Sequence, residues 1–110
     1  MPAFYPCDLV DIDRLQEVVA RVGSEVGPIS VLVNNAASDT RHPFATVTRD
    51  YWDDRIAVNL RHFFFAIQAV HPQMKGLGGG SIINFGSMSW HASQGNMPAY
   101  TTSKAGIEGL

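Results

Sequence analysis

Three polar side chains near the end of the sequence have the types and spacing needed for proton transfer. Tyr100 and Lys104 are four residues apart, so on a helix their side chains lie on one face. A tyrosine hydroxyl is a poor base at neutral pH, but an ammonium group one helical turn away favours the phenolate. Ser87 lies thirteen residues before Tyr100 and can hydrogen-bond a substrate oxygen that loses its proton. We therefore expect an acid–base site at these residues.

A strand and a helix must position this site. Residues 81–85 have the apolar character of a buried strand, and Ser87 follows the carboxyl end of that strand. Ligands bind at this end of the strands in open α/β sheets. Asn96 and Pro98 mark the start of the helix that carries Tyr100 and Lys104.

The rest of the sequence alternates predicted strands with predicted helices. Residues 31–33 are apolar without alternation, as in a parallel strand buried on both faces. The pattern predicts an α/β fold with a partial doubly wound parallel sheet. Strands are predicted at residues 3–9, 29–34 and 81–85, and helices at residues 11–26, from 48 to about 75, and from 98 onward. The long helix carries a core stripe of Trp52, Ile56, Leu60, Phe63, Ile67, Val70 and Met74, with His62 and His71 at the surface.

Composition excludes several classes of function. The chain has 110 residues, enough for one domain, and a net charge of −2, which argues against nucleic acid as a partner. No apolar run approaches the roughly 20 residues of a membrane span, and no signal peptide is visible. Cys7 is the only cysteine, so no internal disulfide can form, and we expect a reducing, cytoplasmic location. No metal site is predicted.

The catalytic residues resemble those of a known family. Ser87 followed by the Tyr-x-x-x-Lys of Tyr100 and Lys104 is similar to the signature of the short-chain dehydrogenases/reductases. Val58-Asn59 in the long helix resembles the active-site asparagine of the same family. The resemblance implies that Tyr100 is the base in oxidation, Lys104 its electrostatic partner and Ser87 the donor to the substrate oxygen. It also implies that Asn59 holds a water that relays protons to solvent.

Two further motifs resemble the cofactor contacts of this family. The stretch from Asn34 to Ala37 is similar to Asn-Asn-Ala-Gly, and Asp8-Leu9 is similar to the Asp-Val on the adenine side. From the residues alone, Asp8 is also a candidate for a turn or a helix cap. Alanine in place of glycine costs about 1 kcal/mol if the position needs φ > 0. The resemblance implies that NAD or NADP, between which the sequence does not choose, contacts Asp8, Leu9, Asn35, Ala36, Ala37, Tyr100 and Lys104.

The substrate is predicted from a narrower resemblance. Residues 41–42, 58–62 and 85–90 resemble aldose 1-dehydrogenases, which oxidise a sugar to its lactone. Aromatic and polar side chains after the strand suit a sugar, so Ser87, Trp90, His91 and Asn96 are the candidate substrate contacts. Arg41 and His42 either line the same pocket or belong to a solvated loop. The alternatives are a 3-oxoacyl-type or steroid-type carbonyl reductase, and a truncated relative that binds nucleotide without turnover.

The glycine pattern predicts an incomplete domain. No Gly-x-x-x-Gly-x-Gly turn precedes residue 3, and the three glycines at 78–80 precede a strand, so they fail the test for a dinucleotide fingerprint. We expect an internal fragment, in which residues 1–110 form a single incomplete NAD(P)-binding, Rossmann-like domain truncated at both ends. Alone, such a chain should neither fold cooperatively nor turn over substrate. The resemblance implies a homotetramer for the full-length protein, built through the helices that begin at residues 48 and 98.

Overall fold

Four α-helices and two β-strands make up the computed structural model, which describes residues 1–110. A π-helical segment, Ala57–Arg61, joins the second and third helices without a break, so the predicted long helix is confirmed as one continuous element. A short 3₁₀ turn, Phe44–Thr46, lies in the preceding loop. The elements are α1 (Ile12–Glu25), β1 (Val31–Asn34), α2 (Arg49–Ile56), α3 (His62–Gly76), β2 (Ser81–Asn84) and α4 (Pro98–Ile107).

The predicted strand at residues 3–9 is wrong, because that segment pairs with no other strand. β1 and β2 form the only sheet, and an extended segment without a neighbour cannot build a ladder. The segment ends in a turn, in which Asp8 Oδ1 accepts from the Val10 N–H at 3.0 Å. Cys7 and Leu9 still pack against the core, so the segment is held by side-chain burial.

The two strands are parallel and in register from Val31 opposite Ser81 to Asn34 opposite Asn84. The long helix supplies the crossover that a parallel pair requires. The expectation of strands buried on both faces is wrong for this chain. Leu32 packs on the core, whereas Val31 and Val33, which point to the opposite face, are 54% and 52% exposed. Helices cover only one face of the sheet.

The core lies between α1, α3 and the covered face of the sheet. Its central cluster consists of Leu15, Val19, Ala66, Val70 and Met74. The apolar stripe of the long helix is therefore confirmed at Val70 and Met74, although Trp52 at the other end is 37% exposed. This packing fixes the long helix against β1 and so places its middle turns beside the loop that follows the strand. None of the helices combines the length and apolarity that crossing a membrane would require.

Candidate active site

The two strands end side by side and direct their following loops to one edge of the sheet. Asn34 Nδ2 donates to Asn84 Oδ1 at 2.9 Å, and the Phe85 N–H donates to Asn34 O at 3.0 Å. These bonds satisfy polar groups at the strand ends, including the buried Asn34 side chain. The loop that contains Ser87 therefore begins beside the loop that contains Asn35.

Lys104 reaches from α4 to this edge. Its side chain is almost fully buried, and its Nζ donates to Phe85 O at 2.7 Å, two residues before Ser87. The same Nζ lies 5.8 Å from the centre of the Tyr100 ring and 5.2 Å from that of Phe63. Burial lowers the pKa of Lys104 below its ordinary value, and the side chain forms no salt bridge. The lysine is thus a buried cation whose near neighbours are a carbonyl and two aromatic rings.

Ser87 and Tyr100 are both half-buried, and both lie between Phe85 and Lys104 in the sequence. Ser87 Oγ donates to Ser89 Oγ at 2.9 Å and accepts from the Ser89 N–H at 3.1 Å. A hydroxyl can rotate, so Ser87 can also turn its proton toward a substrate oxygen. The structure thus brings Lys104 and Tyr100 onto one helix face, with Lys104 in contact with the turn that leads to Ser87.

Asn59 lies in the π-helical segment and is completely buried. Its Oδ1 accepts from the Ser38 N–H at 2.7 Å, and its Nδ2 donates to Ser38 O at 3.1 Å. The asparagine therefore holds the backbone of the loop after β1. Neither the π-helical segment nor this backbone partner was predicted, although π-turns are frequent at functional sites.

His62 was predicted at the surface, and this prediction is wrong. Its side chain is 2% exposed, and its Nε2 lies 3.0 Å from Ala36 O, to which it donates. Arg55 Nη1 donates to Ser38 Oγ at 2.9 Å. Arg55, Asn59 and His62 follow one another at helical spacing, so one helix face holds residues 36–38. The three-residue spacing between Asn59 and His62 could therefore have predicted that His62 is buried on the same helix face.

The burial of His62 makes fold stability depend on pH. Desolvation lowers the pKa of His62 below the ordinary value of 6.5, so under mildly acidic conditions the unfolded chain binds more protons than the folded one. Stability should therefore fall as the pH drops below 6.5, with a slope of at most about 1.4 kcal/mol per pH unit for one proton. His62→Gln keeps a donor for Ala36 O but does not titrate, so it should flatten this slope.

The measurement is the urea midpoint of the full-length protein that carries this sequence, followed against pH. His71→Gln is the matched control, because His71 lies on the same helix but is exposed. It should retain the slope of the unsubstituted protein. Equal slopes for both variants would contradict the assignment of the acid sensitivity to His62.

The predicted cofactor residues lie along the same edge of the sheet. Leu9, Asn35 and Ala36 line a cleft of about 160 Å³. The exposed Asp8 carboxylate stands in the turn before α1. Ala37 is outside the positive-φ region, so alanine in place of glycine carries no backbone strain here. Leu9 is an apolar side chain and the Asp8 carboxylate is an acceptor, which are the groups expected on the adenine side, and the cofactor contacts stay a prediction.

The predicted substrate residues are spread along the loop after β2. The Trp90 ring packs on that of His91 with 3.5 Å between their centres, and it lines a small pocket with Thr101 and Ala105 of α4. His91 and Asn96 are exposed. The Trp90 indole N–H is buried without a hydrogen-bond partner. The stacking surface that was expected for a sugar is therefore covered on one side by His91, and the substrate contacts stay a prediction.

No group of three or more His, Cys, Asp and Glu side chains is arranged to hold a metal ion. The polar residues of the site are instead hydroxyls, amides and one buried ammonium. Such a set can orient a substrate oxygen and move a proton, which are the tasks of an acid–base site.

Known proteins match this chain over almost its whole length. D-xylose 1-dehydrogenase of Caulobacter vibrioides is 51% identical over 109 residues, covering 99% of this chain and 42% of the relative. A probable galactose dehydrogenase of Rhizobium meliloti is 44% identical, covering 99% and 43%. The structure of Thermoplasma acidophilum aldohexose dehydrogenase superposes with a TM-score of 0.90 at 31% identity, covering 96% of this chain and 42% of that structure.

The chain thus spans about 42% of the length of these curated relatives. The pattern of the family described as short chain dehydrogenase matches residues 2–110, which include both strands and all four helices described above. The chain therefore belongs to the short-chain dehydrogenase family.

Proposed function

We propose that the protein that carries this sequence is an NAD(P)-dependent aldose 1-dehydrogenase. The single observation that carries the proposal is the buried, unpaired Lys104, whose Nζ lies 5.8 Å from the Tyr100 ring and contacts the turn before Ser87. A cation in this position favours a phenolate on the same helix face. The names of the relatives, among them a D-xylose 1-dehydrogenase and a probable galactose dehydrogenase, support a sugar as the substrate.

In this proposal each of the four catalytic residues has one task. These residues are Asn59, Ser87, Tyr100 and Lys104. Ser87 Oγ donates to the sugar oxygen and holds it close to the tyrosine. Tyr100 takes the hydroxyl proton of the sugar, and Lys104 favours the phenolate that does so. Asn59 holds the loop after β1 through Ser38. Its task in the proposal is to belong to the path by which the proton returns to solvent.

Residues at the carboxyl edge of the sheet would hold the cofactor. Asp8 would accept from the adenine amino group, Leu9 would pack on the ring, and Asn35 to Ala37 would let the backbone approach the ribose. When bound, the nicotinamide supplies the acceptor for the hydride that leaves the sugar carbon. Lys104 and Tyr100 would share in holding the nicotinamide end, because the Lys104 Nζ lies 5.8 Å from the centre of the Tyr100 ring on the same helix.

A substrate panel tests this proposal. We expect the full-length protein to reduce NAD or NADP with D-xylose or another aldose, and to give the lactone as the product. The rate should be followed by absorbance of the reduced nicotinamide, with each cofactor tested separately. The panel should include 3-oxoacyl thioesters and steroid ketones, assayed in the direction of reduction. Turnover of these carbonyl compounds with no activity on any aldose would refute the proposal.

A further inference from the structure

The helix that carries the proposed base begins without a capping side chain of its own. α4 begins at Pro98, and the residue before it, Met97, makes no side-chain hydrogen bond to the helix. The first turn of a helix has backbone N–H groups with no partner inside the helix. Ala99, the second residue of α4, is completely buried, so its N–H cannot be satisfied by solvent. An acceptor must come from elsewhere in the fold.

His42 supplies that acceptor from the loop before α2. The Ala99 N–H donates to His42 Nε2 at 3.2 Å, and the imidazole is 6% exposed. Because Nε2 accepts, the ring is neutral and carries its proton on Nδ1. This nitrogen lies 2.8 Å from Thr40 O and 3.1 Å from Tyr51 Oη. Both ring nitrogens are therefore hydrogen-bonded, and the accepting Nε2 is directed at α4.

The backbone of His42 makes a second contact with the same region. Its N–H donates to Asn96 O at 2.7 Å, and Asn96 has a positive φ of 61° where the chain turns into α4. His42 thus forms hydrogen bonds with Asn96, which precedes Met97, and with Ala99, which follows it. The ring also packs against Tyr51 of α2, with 4.9 Å between the ring centres. The start of α4 is in this way tied to α2 through His42.

We propose that His42 is a positioning residue for the reaction, which acts by capping the helix that carries the base. Its Nε2 fixes the N–H of Ala99, and Tyr100 is the next residue along the chain. The direction of the Tyr100 side chain therefore depends on the contact between Ala99 and His42, which lie 57 positions apart in the sequence. This inference rests on the proposed role of Tyr100 as the base. It assigns His42 no contact with the substrate.

Substitutions that differ in reach test the proposal in the full-length protein. Glutamine can place an acceptor near the position of Nε2, whereas asparagine ends near Nδ1 and phenylalanine fills the space with no acceptor. We expect His42→Phe and His42→Asn to lower kcat by about tenfold, because Tyr100 is then held less firmly in position for proton transfer, and His42→Gln to stay within about threefold of the unsubstituted protein. Hydrogen exchange at the Ala99 amide should quicken in the first two variants only.

His71→Phe is the matched control, because it makes the same change at an exposed site on α3, and its kcat should not change. If His42→Phe does not fold, the comparison of glutamine with asparagine still decides the question. Wild-type kcat in His42→Asn, or a folded His42→Gln as slow as His42→Asn, would overturn the proposal. If Tyr100→Phe keeps its rate, the proposed function fails. If Tyr100→Phe loses its rate and the His42 variants do not, only the role of His42 fails.

Discussion

Tyr100→Phe should lower kcat by about 10²- to 10⁴-fold, the range that a positioned acid–base group contributes. The substitution removes one hydroxyl and keeps the ring, so the packing of Lys104 against that ring should survive. Affinity for the cofactor should change little, because Asp8, Leu9 and Asn35 lie on other segments of the proposed cofactor site. The measurement combines steady-state rates on an aldose with a fluorescence titration of the reduced cofactor.

Tyr5→Phe is the control for the loss of a tyrosine hydroxyl. The Tyr5 hydroxyl donates to Glu25 at 2.8 Å, at the far end of α1 from the proposed base. This variant should have the rate of the unsubstituted protein. A Tyr100→Phe protein that turns over at the wild-type rate would show that the proton leaves by another group.

Lys104→Met should lower kcat by about 10- to 1000-fold. The estimate follows from the roughly 1–4 kcal/mol by which two opposite charges about 4 Å apart attract each other in water or near a protein surface, at about 1.4 kcal/mol for each factor of ten. Methionine keeps much of the volume of the buried stem but carries no charge. Steady-state rates on an aldose test this prediction.

Lys75→Met is the matched control. Lys75 is the only other lysine, and it is exposed in the last turn of α3, so its loss should leave the rate unchanged. The removal of a buried ammonium that has no carboxylate partner should not unfold the protein. A folded Lys104→Met variant with the kcat of the unsubstituted protein would contradict the electrostatic role of Lys104.

Much of the fold follows from patterns that are local in the sequence. The helical spacing of Leu15 and Val19, and of Val70 and Met74, correctly predicted two helices, and the structure packs these residues in one core cluster. The apolar run around Leu32 correctly predicted a strand of a parallel sheet. These predictions succeed because the periods of helices and strands depend on residues that are only two to four positions apart.

The strand predicted at residues 3–9 shows where local patterns fail. Its residues suit a strand, but a strand also needs a neighbour for its backbone N–H and C=O groups. The sheet has two strands, and the backbone of this segment pairs with neither of them. The prediction that Val31 and Val33 are buried was wrong for a similar reason, because the burial of a strand face depends on which elements cover it.

The spacing of Tyr100 and Lys104 is enough to place them on one helix face, because the geometry of one helical turn brings them together. The apolar run before Ser87 is likewise enough to show that this residue follows a strand. The contacts that hold these groups in place are visible only in the folded structure. Lys104 contacts Phe85 O, Asn59 binds Ser38, and His42 caps Ala99. Each of these contacts joins residues at least 19 positions apart, so it exists only where the packing of the core brings separate segments together.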